Sequence, residues 1–192
     1  MTERPISRFP VADISSLPDD LRDYIERVAD KTGFVPNVFL ALTHRPDELR
    51  AFIGMHDALM AKDSPALSKA DREMIVVATS SANDCLYCVV AHGAVLRIRR
   101  KDPLIADQVA ANYRKAGLSD RERAMLEFAV KVATDSASIG DADHETLRAA
   151  GFTDDDIWDI GSIAALFAYS NRMANFASML PNEEFYSMGR TR

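Results

Sequence analysis

Residues 67–100 read LSKADREMIVVATSSANDCLYCVVAHGAVLRIRR, and this stretch decides the fold. Ser68 and Asp71 have the spacing of a capping box, which marks the first turn of a helix. That helix carries residues 74–78, which are apolar on every side and therefore predict a position central to the core. Residues 80–84 are poor helix formers, so the helix should falter there. A second helix is predicted from Cys85 to about Arg99.

Helical periodicity with recognisable start signals continues through the rest of the chain, whereas strand patterns are scarce. We therefore predict an all-α fold. After an extended arm punctuated by proline, the further helices are predicted at about 19–31, 37–43, 46–61, 102–115, 119–134, 142–150 and 153–179. The first of these should stop at Gly33, and capping boxes at Ser119 and Thr153 mark the starts of two others. Pro181 and a polar tail close the chain.

We interpret the chain as one domain over residues 1–192. Its parts are an extended N-terminal arm (1–18), N-terminal helices (19–66), a helical hairpin that holds the candidate active site (67–100) and a second helical unit (101–192). A weak repeat favours two related helical units, because LSKADREM at 67–74 is echoed by LSDRERAM at 118–125. Two capped amphipathic helices could also look alike by chance. The echo does not repeat Glu73, Cys85 or Cys88, so a real duplication would leave the chemistry in the first unit alone.

The composition is that of an ordinary globular protein, since 47% of the 192 residues are apolar and 27% are charged. Disorder and a disulfide scaffold are therefore poor interpretations. The formal net charge of −6 makes nucleic acid a poor candidate partner. The longest apolar stretch is far short of the roughly 20 residues that cross a bilayer, and the N-terminus has no apolar signal-peptide core. We expect a soluble, cytoplasmic protein with no membrane partner.

Cys85 and Cys88 are the two cysteines of the chain, and their spacing in a cytoplasmic protein indicates redox or metal chemistry. A helix turns by about 100° per residue, so Cys88 and His92 lie within about 60° of Cys85 around the axis. In the first turn of a helix, free amide groups and the helix dipole lower the pKa of a thiol. His92 lies one turn beyond Cys88 and is placed to exchange a proton with that thiol.

Glu73 joins this group only if the chain folds back. On one continuous helix it would lie about 18 Å from Cys85 and on another face. A hairpin with its corner at residues 80–84 would bring Glu73 beside Cys88 and His92, where a carboxylate in an apolar helix suits a proton relay. The alternative interpretation is an acidic residue near the helix start, favoured there by the dipole.

Three interpretations of the cysteine pair remain open. A disulfide between residues i and i+3 of a helix must close a gap of about 5–6 Å between Cβ atoms to about 3.5–4.5 Å, so it would distort the helix and be readily reduced, as catalytic bridges are. A zinc site could use Cys85, Cys88, His92 and Glu73. The third interpretation is two small buried hydrophobic residues.

Other notable side chains are interpreted as structural. His44, His56 and His144 have no evident partner in the sequence. Asn171 and Arg172 could pair with an acidic residue to tie down the last helix, or could line an interface. We interpret five aromatic residues as core or oligomer contacts: Phe34, Phe39, Trp158, Phe167 and Tyr169.

The string E-x11-C-x-x-C-x-x-x-H, formed by Glu73, Cys85, Cys88 and His92, resembles the signature of AhpD-like alkylhydroperoxidases in the carboxymuconolactone decarboxylase superfamily. The flanks LSKADRE at 67–73 and AHG at 91–93 are similar too. GFVPNVF at 33–39 and NRMA at 171–174 resemble the subgroup of peroxidase-related proteins. The resemblance extends over nearly the whole chain.

This resemblance implies an all-helical, homo-oligomeric protein whose thiolate reduces a hydroperoxide. Its catalytic residues would be Cys85, Cys88, His92 and Glu73. It would need no metal, flavin or haem, but an external dithiol of the thioredoxin or lipoyl type. Cys88, nearest His92, is the candidate for the activated thiol and Cys85 for the partner exposed to the reductant, although the dipole favours the reverse assignment. Where the best-known members have His before the second cysteine, this chain has Tyr87, which cannot shuttle a proton at neutral pH.

Two other functions compete with a peroxidase or disulfide reductase. The first is a non-catalytic or redox-sensing helical oligomer whose cysteines respond to oxidation without turnover. The second is a decarboxylase-type lyase acting on a lactone. The cysteine pair argues against the lyase, because members of the superfamily with that activity do not depend on such a pair.

Overall fold

The computed structural model describes residues 4–62 and 64–191 and is all-helical, as predicted. In these two ranges the chain forms ten α-helices and no strand. The helices are α1 Asp19–Thr32, α2 Asn37–Leu42, α3 Pro46–Met60, α4 Lys69–Ala82, α5 Leu86–Arg100, α6 Ile105–Asn112, α7 Asp120–Asp135, α8 Asp141–Ala149, α9 Asp154–Ala177 and α10 Glu184–Ser187. Short 3-10 helices occur at Ile14–Ser16, Tyr113–Lys115 and Ser136–Ser138.

The core is built around α4, which packs against α5, α6, α7 and α9. Met74, Ile75, Val76 and Val77 are fully buried, which confirms the prediction that this segment is central. Burying each such side chain stabilises the fold by about 1.5–3 kcal/mol. The helix that carries Glu73 is therefore fixed on all sides.

Capping boxes define the starts of the three helices that meet in the core. At α4 the Ser68 hydroxyl accepts the amide of Asp71 at 3.2 Å, and the Asp71 carboxylate accepts the amide of Ser68 at 3.0 Å. The predicted boxes at Ser119 and Thr153 begin α7 and α9 in the same way. Each box satisfies amides that have no partner inside the helix.

Gly33 ends α1 in the left-handed conformation, with φ of 84°, and its amide bonds to the carbonyl of Ala29 at 2.7 Å. A residue with a side chain would be strained at this φ. The predicted stop at Gly33 is confirmed, and the turn that follows leads directly into α2.

The C-terminal segment is more than the predicted polar tail. α10 buries Phe185, whose ring lies 5.0 Å from that of Phe34 in an edge-on contact. The Arg97 guanidinium on α5 donates to the carbonyls of Phe185 at 2.7 Å and Met188 at 2.9 Å. Four residues of helix are too few for a periodic pattern, so the sequence did not indicate α10.

α4 and α7 pack against each other, and both pack against α9. Their relation by duplication, and the division of the domain into parts, stay predictions. Among the described residues, no helix combines the length and apolar character needed to cross a membrane.

Candidate active site

The corner between α4 and α5 is a Schellman turn, in which two amides after the helix bond back to its last carbonyls. The Asp84 amide bonds to the carbonyl of Ser81 at 3.1 Å, and the Cys85 amide bonds to that of Ser80 at 2.9 Å. Asp84 takes the left-handed conformation, with φ of 52°, that such a turn requires. The predicted break is therefore present, and the turn fixes the backbone of Cys85.

Cys85 is the N-cap residue of α5, with an extended backbone, rather than a member of its first turn as predicted. Its sulfur accepts the amide of Cys88 at 3.4 Å, in the place where a serine or aspartate oxygen caps other helices. The predicted angles around the helix axis therefore do not apply to Cys85. The electrostatic expectation still holds, because the sulfur faces the free amides of the helix start.

The two thiols differ in pKa. The pKa of Cys85 is lowered to about 7, first because the Cys88 thiol donates a hydrogen bond to it and then because backbone amides and Asn171 do so, against the opposing effect of burial. The pKa of Cys88 is raised well above its usual value, since that hydrogen bond holds its proton and burial disfavours a second thiolate. The pair thus carries one thiolate near neutral pH, and Cys85 holds it.

A small cavity of about 50 Å³ reaches Cys88 from between α2, α3, α5 and α9. Its lining side chains are Val38, Phe39, Phe52, Ile53, His56, Tyr87, Cys88, His92 and Ser170. Both cysteines are only 1% exposed, so the prediction that Cys85 is exposed to a reductant is wrong for the single chain. Capping α5 turns the Cys85 side chain into the corner, whereas Cys88 forms part of the cavity wall.

Glu73 and His92 form a hydrogen-bonded pair beside this cavity. Glu73 Oε2 lies 2.7 Å from His92 Nδ1, and Arg99 Nη2 lies 3.6 Å from the other carboxylate oxygen. Glu73 is 3% exposed. The His92 ring packs edge-on against the Phe167 ring, with 4.7 Å between the ring centroids. The predicted fold-back that brings Glu73 to His92 is confirmed. With Nδ1 bonded to the carboxylate, Nε2 is the ring nitrogen left for other partners.

Helix α9 supplies two site residues that the sequence interpretation did not recognise as such. Ser170 Oγ lies 3.7 Å from Cys88 Sγ. Asn171 is fully buried, and its side chain donates to Ser80 Oγ at 2.9 Å and accepts from Asn83 Nδ2 at 3.0 Å. Asn171 thus holds α9 at the cysteine corner through Ser80 and Asn83, whereas the predicted pairing with an acidic residue is wrong for it. The available signal was an amide shortly after the apolar run at residues 163–169.

Tyr87 is buried, and its hydroxyl accepts the amide of Val38 at 2.9 Å. Burial raises the pKa of Tyr87 above its ordinary range, so the phenol keeps its proton at neutral pH. It ties α5 to the start of α2 and forms part of the cavity wall.

The remaining predicted residues divide between the cavity and other places. His44 stacks near Phe9 and His144 near Phe128, both away from the cysteine cavity, in keeping with a structural interpretation. His56 lines the cavity and has a partner, which corrects its interpretation as a side chain without one.

The predicted aromatic contacts differ in burial. Phe167 is in the core, and Phe34 and Phe39 are half-buried and pack against that core. Trp158 is 76% exposed and Tyr169 45%, so neither is a core residue, and a role in oligomer contacts stays a prediction. In the described part of the chain, no group of three or more His, Cys, Asp or Glu side chains is arranged to hold a metal ion.

The fold and the corner together define a class: an all-helical protein with a CxxC pair at the N-terminus of a core helix and a carboxylate–histidine pair beside it. Residues 46–111 match the model of the carboxymuconolactone decarboxylase family. A comparison with curated proteins gives no match.

Solved structures extend the likeness to the whole chain. An uncharacterized peroxidase-related protein with an alkylhydroperoxidase AhpD core, from Ralstonia eutropha JMP134, is 62% identical with a TM-score of 0.96, covering 98% of this chain and 99% of that one. An uncharacterized peroxidase-related protein from Silicibacter sp. TM1040 is 42% identical over 99% of both chains, with a TM-score of 0.91. The debrominase Bmp8 is 20% identical over 98% of both chains and shares the fold, with a TM-score of 0.75. The chain belongs to the AhpD-like members of the carboxymuconolactone decarboxylase superfamily.

Proposed function

We propose that this protein is a thiol-dependent hydroperoxide reductase in which Cys85 and Cys88 supply two electrons and Glu73 and His92 relay protons. The observation that carries the proposal is the dithiol corner: one cysteine holds a thiolate near neutral pH, and the other faces a cavity beside a carboxylate-bound imidazole. Membership of the AhpD-like family supports it, as do relatives named peroxidase-related.

Cys88 is the cysteine that attacks the peroxide, because it forms part of the cavity wall. Its proton passes along the existing hydrogen bond to the Cys85 thiolate, which makes Cys88 the thiolate. The Cys88 sulfur then attacks the outer oxygen of the hydroperoxide, so an S–O bond forms while the O–O bond breaks. Sulfur gives up two electrons and becomes a sulfenic acid, and the leaving alkoxide takes a proton to become an alcohol.

Cys85 then resolves the sulfenic acid. His92 accepts the Cys85 proton, and the new thiolate attacks the Cys88 sulfur. A disulfide forms, and the hydroxide that leaves takes a proton to become water. An external dithiol of the thioredoxin or lipoyl type returns both cysteines to thiols and is itself oxidised to a disulfide.

Glu73 acts on this relay through His92. Its carboxylate holds Nδ1, which sets the ring orientation and leaves Nε2 to exchange protons with the cysteines. Because the carboxylate is buried on a helix that the core fixes on every side, the ring cannot turn away without losing this partner. Glu73 is therefore a positioning residue.

The test is to treat the reduced protein with tert-butyl hydroperoxide and to follow intact mass and free thiols with a sulfenic-acid trapping reagent present. We expect the wild type to lose two thiols and to recover them with dithiol. Cys85→Ser should trap a sulfenic acid on Cys88, and Cys88→Ser should trap none. Turnover that persists in either variant would refute the proposal, and a sulfenic acid found on Cys85 alone would reverse the roles.

A further inference from the structure

A second histidine faces the cavity from the opposite wall. His56 on α3 lines the same space as Cys88 and His92, and the two imidazole rings lie 6.4 Å apart between centroids. The cavity holds about 50 Å³, room for about four water-sized groups, so a peroxide group inside it lies near both rings and the sulfur.

The His56 ring, like the His92 ring, has a carboxylate partner at Nδ1. Its Nδ1 lies 3.2 Å from Asp57 Oδ1, and the Tyr24 hydroxyl donates to the same carboxylate oxygen at 3.1 Å. Hydrogen bonding to His56 is the first cause of the lowered pKa of Asp57, so this carboxylate is charged at neutral pH and accepts a hydrogen bond from Nδ1 of the ring. Nε2 is then the nitrogen free to face a ligand.

We propose that His56 is the general acid of the reaction, which protonates the alkoxide that leaves when the O–O bond breaks. This rests on the proposed function and completes its proton balance. The Nε2 proton of the His56 imidazolium passes to the alkoxide oxygen, which leaves as an alcohol, and the neutral imidazole regains a proton from solvent. The His56 and Asp57 side chains are 30% and 46% exposed, so water reaches the pair directly.

The two histidines thus have separate tasks. His92 is held from the core side by Glu73 and exchanges protons with the cysteines. His56 is held from the solvent side by Asp57 and serves the leaving group. Asp57 and Tyr24 are positioning residues, since they reach the reaction only through the ring that they orient.

The test compares two oxidants whose leaving groups differ in their need for a proton. An alkyl hydroperoxide releases an alkoxide, a strong base that needs a proton, whereas peracetic acid releases acetate, which is stable as an anion. General acids contribute about 10²–10⁴-fold to a rate. In single-turnover reactions with the reduced protein, we expect His56→Gln to lower the rate with tert-butyl hydroperoxide by about 10²-fold or more. The rate with peracetic acid should stay within about twofold of the wild type, because no acid is needed.

His44→Gln is the matched control, since His44 also packs beside an aromatic ring but lies away from the cysteine cavity, and both rates should stay at the wild-type value. Equal losses with both oxidants in His56→Gln would overturn the inference, because the residue would then only shape the thiol site. Wild-type rates with both oxidants in His56→Gln would overturn the inference as well. A wild type that fails to reduce tert-butyl hydroperoxide would refute the proposed function itself, a result distinct from either variant outcome.

Discussion

The hydrogen bond from the Cys88 thiol is the main reason that Cys85 ionises near neutral pH, and the pair Cys88→Ser and Cys88→Ala tests this directly. An ordinary cysteine has a pKa of about 8.5 and is about 3% ionised at pH 7. With its pKa lowered to about 7, Cys85 is half ionised there. The difference of about 1.5 units corresponds to about 2 kcal/mol of preference for the thiolate.

The assay is absorbance at 240 nm from pH 5 to 9, which detects thiolate without requiring a reagent to reach the buried sulfurs. The wild type should show one thiolate with a midpoint near pH 7. Cys88→Ser keeps a hydroxyl donor and should hold the midpoint near that value. Cys88→Ala keeps only the weaker donors, the backbone amides and Asn171, so the midpoint should rise toward about 8.5.

Two results would refute this reasoning. A midpoint near pH 7 in Cys88→Ala would show that the thiol hydrogen bond is not the cause of the lowered pKa. A midpoint near pH 7 in Cys85→Ser would place the thiolate on Cys88 instead of Cys85.

Three further changes test other parts of the structure. Asn171→Ala should lower the free energy of unfolding in urea by about 1–3 kcal/mol, because its buried partners lose their hydrogen bonds; an unchanged midpoint would contradict this. Glu73→Gln should slow peroxide reduction by about 10²-fold, because a neutral amide no longer holds His92 by a charge. The control Glu127→Gln changes an exposed carboxylate and should leave the rate unchanged, so equal rates in the two variants would exclude the relay. Arg97→Met should release the C-terminal segment to limited proteolysis, and resistance equal to that of the wild type would show that α10 is held by its apolar contact alone.

Much of the helical framework could be predicted because its signals are local. Ser68, Ser119 and Thr153 begin helices through residues three positions further along, and the structure places all three capping boxes as expected. The approach of Glu73 to His92 was also predictable, because the poor helix formers at 80–84 allow only a short corner between two long helices.

The details of the cysteine corner were not predictable from spacing. Cys85 lies outside α5 because its amide takes part in the Schellman turn that ends α4. Cys85 therefore does not share the helical face with Cys88 and His92 that its spacing predicts. His56 was set aside because its carboxylate partner is the next residue, Asp57, and neighbours in a helix do not normally face each other. Tyr24, from another helix, holds that carboxylate in place.

The sequence by itself determined the all-α class, the starts of the main helices and the group Glu73, Cys85, Cys88 and His92, because capping, periodicity and short spacing act within a few turns of chain. Tertiary structure alone decided that Cys88 rather than Cys85 faces the cavity and that α3 and α9 complete its walls with His56 and Ser170. These contacts join residues far apart along the chain. They depend on how whole helices pack, and local periodicity carries no information about the partner that a buried face will meet.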